Sequence, residues 1–185
     1  MKSSRRNFLK STGLAIGGSL ILPACYYEPA PFRFFTPEEA DCLIAVCECI
    51  IPADDMPGAT DAGVIYYIDK QVMGPFKKFQ QTYREGLAAL QIDCMGLKGT
   101  RFEALSTDQQ VEFLEMMENN DDMLESWLFV KPAAFFNLII DHTMQGFYGA
   151  PRHGGNRDYI SYRMLGIGYP QVVGQNRYGN GDSNG

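Results

Sequence analysis

Gly146-Phe-Tyr-Gly-Ala-Pro-Arg-His-Gly-Gly-Asn-Arg-Asp-Tyr-Ile-Ser-Tyr-Arg-Met-Leu-Gly-Ile-Gly168 is the stretch at which the character of the chain changes. Ahead of it, Ala133 to Gln145 is a long apolar run with few polar faces, which reads as a central helix. From Gly146 onward neither the helical nor the strand period holds, and six glycines and three arginines fall within 23 residues. A segment of this composition buries itself poorly and has to lie on a helical scaffold or against another protein. Gly154 and Gly155 permit close backbone approach, Asn156 and Arg157 offer directional hydrogen bonds, and Tyr148, Tyr159 and Tyr162 offer rigid contact area. Two readings follow from the residues: a docking surface made of Tyr148, Arg152, His153, Gly154, Gly155, Asn156, Arg157, Asp158 and Tyr162, or a loop packed over its own helices.

Working back from this stretch, the chain is a series of helical signals. Thr36-Pro37-Glu38-Glu39 places an N-cap, a proline at the first helical position and acids in the first turn. Pro52 stops that helix. Asp54 and Asp55 follow in a loop, as turn caps or as ligands for a metal or partner. A second helix is expected from about Thr60 to Met73. Ala62, Ile65, Ile68, Asp69 and Val72 lie on one side of it, with Asp69 in a surface salt bridge. Phe76, Phe79, Tyr83, Leu87 and Leu90 recur at three- and four-residue steps and predict a third, ending before Gly96. Ser106-Thr-Asp-Gln109 is a capping box that opens a fourth helix, and Met123 to Val130 reads as a fifth. With no strand pair and no repeat, the expectation is an all-α single domain of five or six helices with a glycine- and aromatic-rich C-terminal docking segment.

The N-terminus reads as an address. Ser4-Arg5-Arg6-Asn7-Phe8-Leu9-Lys10 matches the twin-arginine export signal, with Arg5, Arg6, Phe8 and Leu9 at its defining positions. Gly13 to Leu22 is apolar but too short to span a bilayer. Leu22-Pro23-Ala24-Cys25 resembles a lipobox, which would acylate Cys25 and tether the protein to a membrane; plain cleavage near Ala24 and an uncleaved anchor are the alternatives. The division expected is therefore signal 1–24, linker 25–35, helical domain 36–173 and a disordered glycine-rich tail 174–185. Loss of residues 1–24 leaves 12 Lys+Arg against 22 Asp+Glu, a net charge of −10. Such a balance excludes nucleic acid as a partner, because phosphate binding needs a basic face.

No chemical constellation emerges. The five cysteines at 25, 42, 47, 49 and 94 contain no Cys-x-x-Cys pair, so Cys42, Cys47 and Cys49 read as small buried hydrophobes. His142 reads as a packed or capping histidine, and His153 with Asp158 lacks a nucleophile or metal partner. Neither a P-loop, a dinucleotide fingerprint nor a nucleophile elbow is present. Catalytic, cofactor-binding and metal residues are accordingly expected to be absent from this chain.

Several motifs in fixed order resemble the gluconate 2-dehydrogenase subunit 3 family. They are the twin-arginine signal, Ile51-Pro-Ala-Asp-Asp-Met-Pro-Gly-Ala59, Ala62-Gly-Val64, Tyr67-Ile-Asp69, Gly146-Phe-Tyr148 and Gly154-Gly-Asn-Arg-Asp158. The resemblance covers the signal and residues ~34–168. It implies a small subunit of a periplasmic sugar or sugar-acid dehydrogenase. Its large partner would be of the glucose–methanol–choline type and would carry FAD and the catalytic residues, often with a cytochrome c. The resemblance further implies help with folding and twin-arginine export of a partner that lacks its own signal. Two other classes remain open on the residues: an autonomous redox or metal enzyme using Cys42, Cys47 and Cys49, or His142 and His153 with Asp54 and Asp55; and a lone lipoprotein chaperone that releases its client.

Overall fold

The computed structural model describes residues 32–119 and 126–167; the export signal, Cys25 and the tail from 168 lie outside them. The described residues form six α-helices and no strand: α1 (Pro37–Ile50), α2 (Val64–Val72), α3 (Gln80–Lys98), α4 (Thr107–Asn119), α5 (Pro132–Tyr148) and α6 (Ile160–Met164). The all-α, single-domain expectation holds.

The helix ends follow their capping chemistry. Thr36 accepts from the Glu39 N–H while the Glu39 carboxylate accepts from the Thr36 N–H, so two otherwise orphaned donors are satisfied together. Ser106 and Gln109 repeat the arrangement ahead of α4. Four boundaries differ from expectation. The third helix starts at Gln80 rather than Phe76, with Lys77–Phe79 a 3-10 turn, and the central helix continues past Gln145 through Gly146 to Tyr148. α2 starts at Val64, because residues 60–63 form turns, and α3 runs through Gly96 to Lys98 before Gly99 ends it.

α5 packs against all five other helices, which makes it the axis of the molecule. Phe135, Ile139 and Phe147 on α5 are fully buried against Leu43 and Val46 of α1, Ile68 of α2, Tyr83 and Leu87 of α3 and Phe113 of α4. Side chains of this size each contribute on the order of 2 kcal/mol by leaving water. His142 sits inside this core. Its Nδ1 is 2.8 Å from the Tyr83 hydroxyl and its ring lies flat on Phe76 at 4.4 Å. Burial pushes its pKa down to about 4, against a smaller opposing pull from Asp141, so the ring is neutral. The packed-histidine reading is correct.

Two further buried polar side chains hold irregular chain onto the helices. Asp69 is not in a surface salt bridge. It is buried, and its carboxylate accepts the backbone N–H groups of Arg33, Phe34 and Phe35 at 2.9–3.2 Å. Those bonds bring Phe35 into the core. Asp93 on α3, also buried, accepts from the Ser126 hydroxyl and from Trp127 Nε1. Residues 126–131 are consequently a turn and bends rather than the end of a fifth helix; 123–125 lie outside the described residues. No described helix is long and apolar enough to cross a membrane.

Candidate functional site: a clamped loop on helices α2 and α5

The chain leaves α5 at Gly149 and returns to helix at Ile160, and the intervening loop is held at every step. Lys70 Nζ on α2 donates to the Arg152 carbonyl at 2.8 Å, and Gln71 Nε2 donates to that of His153 at 3.2 Å. Gly154 has φ of 115°, a conformation that a side chain disfavours, and lies against the α2 backbone at Tyr66. Gly155 is buried on Gly146, where an added Cβ would collide with the Gly146 carbonyl. Fully buried Asn156 donates to the Gly149 carbonyl at 2.8 Å and accepts from the Ser161 N–H at 3.0 Å, tying the two ends of the loop together. The Arg157 N–H then donates to Ala62 O at 3.0 Å.

This bonding carries strained backbone. Asn156, Asp158 and Tyr159 have φ of 45°, 53° and 57°, and a left-handed conformation costs an L-residue on the order of 1 kcal/mol. Three such residues within four positions persist because the clamps over-determine the path. A loop built this way is a rigid support for what it displays.

The sequence-predicted site residues fall into two sets. Gly155 and Asn156 are buried against the chain's own helices, and Gly154 is half-buried. Tyr148, Arg152, His153, Arg157 and Asp158 are exposed, while Tyr162 is half-buried beside Tyr159 with ring centroids 5.9 Å apart. Self-packing thus accounts for Gly155 and Asn156, while the exposed residues are displayed to solvent. Sequence reasoning missed Tyr66 and Phe32. Exposed Tyr66 on α2 stacks on Phe32 at 5.6 Å, and the Arg157 guanidinium lies over the same tyrosine at 5.3 Å. An exposed tyrosine in a helical repeat gives no local sign of such a partner.

Residues considered for chemistry are spread out. Cys42 and Cys47 are buried and Cys49 half-buried; burial pushes the Cys47 thiol up to about 12 and that of Cys49 to about 11, so neither is a ready thiolate. Thr143 Oγ1 donates to Cys47 Sγ at 3.2 Å, and Cys49 donates to Gln110 Oε1 at 3.4 Å. Asp54 accepts from the Met56 N–H at 2.8 Å and closes a turn. His142 is in the core while His153 is on the surface. Among the described residues no three His, Cys, Asp or Glu side chains converge as a metal site would require.

A second surface feature was also illegible. Leu128 and Phe129 are 78% and 72% exposed and stand with Ile92 of α3 around a shallow depression. In sequence, Trp127-Leu-Phe-Val130 looks like any buried helical turn.

Fold and site together define a helical scaffold that displays a rigid arginine- and tyrosine-bearing loop. Consistent with this, the family model for gluconate 2-dehydrogenase subunit 3 matches residues 37–169, and the chain belongs to that family. It is therefore a small subunit of a multi-subunit dehydrogenase complex. No curated protein and no solved structure matches the chain.

Proposed function

We propose that this chain is the non-catalytic small subunit of a periplasmic FAD-dependent sugar or sugar-acid dehydrogenase, of the gluconate 2-dehydrogenase or glucoside 3-dehydrogenase kind. In this reading the FAD and the catalytic residues belong to a large subunit of the glucose–methanol–choline type, and a cytochrome c can complete the assembly. The small subunit supports the folding and stability of that partner. It also supplies the export address, Arg5 and Arg6 with Phe8 and Leu9, and Cys25 supplies a lipid tether if it is acylated.

The observation that carries the reading is the clamped loop. Backbone strain at Asn156, Asp158 and Tyr159 is maintained in a segment that displays Arg152, His153 and Arg157 to solvent. Strain of this kind is found where side chains must be held ready, and arginine and tyrosine dominate protein interfaces. The test is isolation of the chain from its native cell envelope under mild conditions, with a flavin spectrum and a dye-linked sugar dehydrogenase assay. Yellow, active material containing a larger chain is the expected result. A colourless preparation with no larger chain would refute a stable complex, and dehydrogenase activity in the isolated small chain would refute the non-catalytic assignment.

A further inference from the structure

Arg157 is the most unusual cation of the described surface. Its backbone is fixed by the Ala62 carbonyl and flanked by left-handed residues. Its guanidinium carbon lies over the Tyr66 ring at 5.3 Å from the centroid, and Tyr66 in turn stacks on Phe32 at 5.6 Å. The in-plane N–H donors make no hydrogen bond among the described residues. Nor do they pair with a described carboxylate. Lys70, Arg152 and His153 stand around the same turn, with Asp158 as its one acid. The setting is a chain of formal net charge −6.

On the docking reading above, we infer that the Arg157–Tyr66 platform receives a carboxylate, an Asp or Glu side chain presented by the larger subunit. Guanidinium presents a planar fork of donors that fits a carboxylate edge-on, which leaves its face free to stack. The cation–π contact with Tyr66 restrains the arginine before the partner arrives, so association loses less side-chain entropy. The exposed ring of Tyr66 adds apolar area beside the charge, so an apolar or aromatic residue next to the incoming acid would cover it. Surrounding positive charge on an otherwise acidic protein steers an acidic partner loop to this one place.

The experiment compares complexes of the larger chain with wild type, Arg157→Gln and Arg157→Lys. Far-UV circular dichroism checks that each variant is folded. Wild type is expected to bind with an affinity that falls with salt. Arg157→Gln is expected to bind roughly 30-fold or more weakly with a shallower salt dependence, since truncating one partner of an interfacial charge pair has effects of that size. Arg157→Lys keeps the charge but loses fork and stacking, and should bind about tenfold more weakly. Treating that last complex with a zero-length carbodiimide should join the introduced amine to an Asp or Glu of the larger chain by an amide bond, located by mass spectrometry. An intact complex in which Arg157→Gln binds within twofold of wild type overturns the carboxylate receptor and leaves the docking reading standing. Absence of any complex with wild type overturns both.

Discussion

Helix α5 and the loop that follows it are adjacent in sequence and held by opposite means. From Pro132 to Tyr148 the chain is stabilised chiefly by many apolar contacts, to which His142 and Thr143 add single bonds with Tyr83 and Cys47. From Gly149 to Tyr159 the path depends on a few specific bonds: Asn156 to both loop ends, Arg157 to Ala62, and Lys70 and Gln71 to two carbonyls. The strap at residues 33–35 and the turn at 126–127 follow the second pattern, through Asp69 and Asp93. Helices here spread stability over many contacts, whereas buried polar clamps fix position and concentrate stability in a few bonds. That separation lets a small subunit keep an ordinary core and still hold a surface in one shape.

Breaking a clamp should therefore cost more than weakening a helix end. The largest effect is expected for Asp69→Ala, which strips the acceptor from three backbone N–H groups and should lower unfolding free energy by about 4 kcal/mol in denaturant titration. Asp69→Asn should recover part of it. Next comes acidification. Folded His142 titrates at about 4 and an unfolded histidine near 6.5, so between those values the unfolded chain binds the extra proton. Stability is thus expected to fall by up to about 3 kcal/mol as pH drops from 6.5 to 4, and this contribution is flat above 6.5. Between pH 6.5 and 4 the unfolding free energy of wild type, from denaturant titrations, should fall by about this much more than that of His142→Phe.

Gly155→Ala sharpens the contrast further. Overpacking against Gly146 should cost about 2 kcal/mol and dislodge the loop, with helical circular dichroism unchanged and binding of the larger chain weakened. Smallest is Thr36→Ala, where loss of one helix cap should cost about 1 kcal/mol, read by denaturant titration, and leave binding untouched.

The same division explains what the sequence discloses. Helices α1, α3 and α5 and the two capping boxes are legible because their signals lie within one or two turns, at Thr36 and Glu39 or at Phe79, Tyr83 and Leu87. Asp69 misleads because its partners are 34 to 36 residues away and a carboxylate at a helical position ordinarily faces water. Trp127 to Val130 mislead for a similar reason: an apolar run suits a helix, and Asp93, 34 residues earlier, with Phe135 beside the indole, holds Trp127 elsewhere. In the loop, composition marks the site, but the burial of Gly155 and Asn156 is set by Gly146 of α5, the Gly149 carbonyl and the Ser161 N–H, contacts made only in the fold. The pairing of Arg157 with Tyr66 is likewise set by α2.

The account is tested most directly by hydrogen exchange with mass spectrometry on the chain alone and in complex with its larger partner. Slowed exchange on binding is expected in peptides covering residues 148–163 and the α2 surface around Tyr66, with the α3 and 126–130 face unchanged. Protection confined to the Ile92, Leu128 and Phe129 face, with the loop exchanging as it does in the free chain, would contradict it.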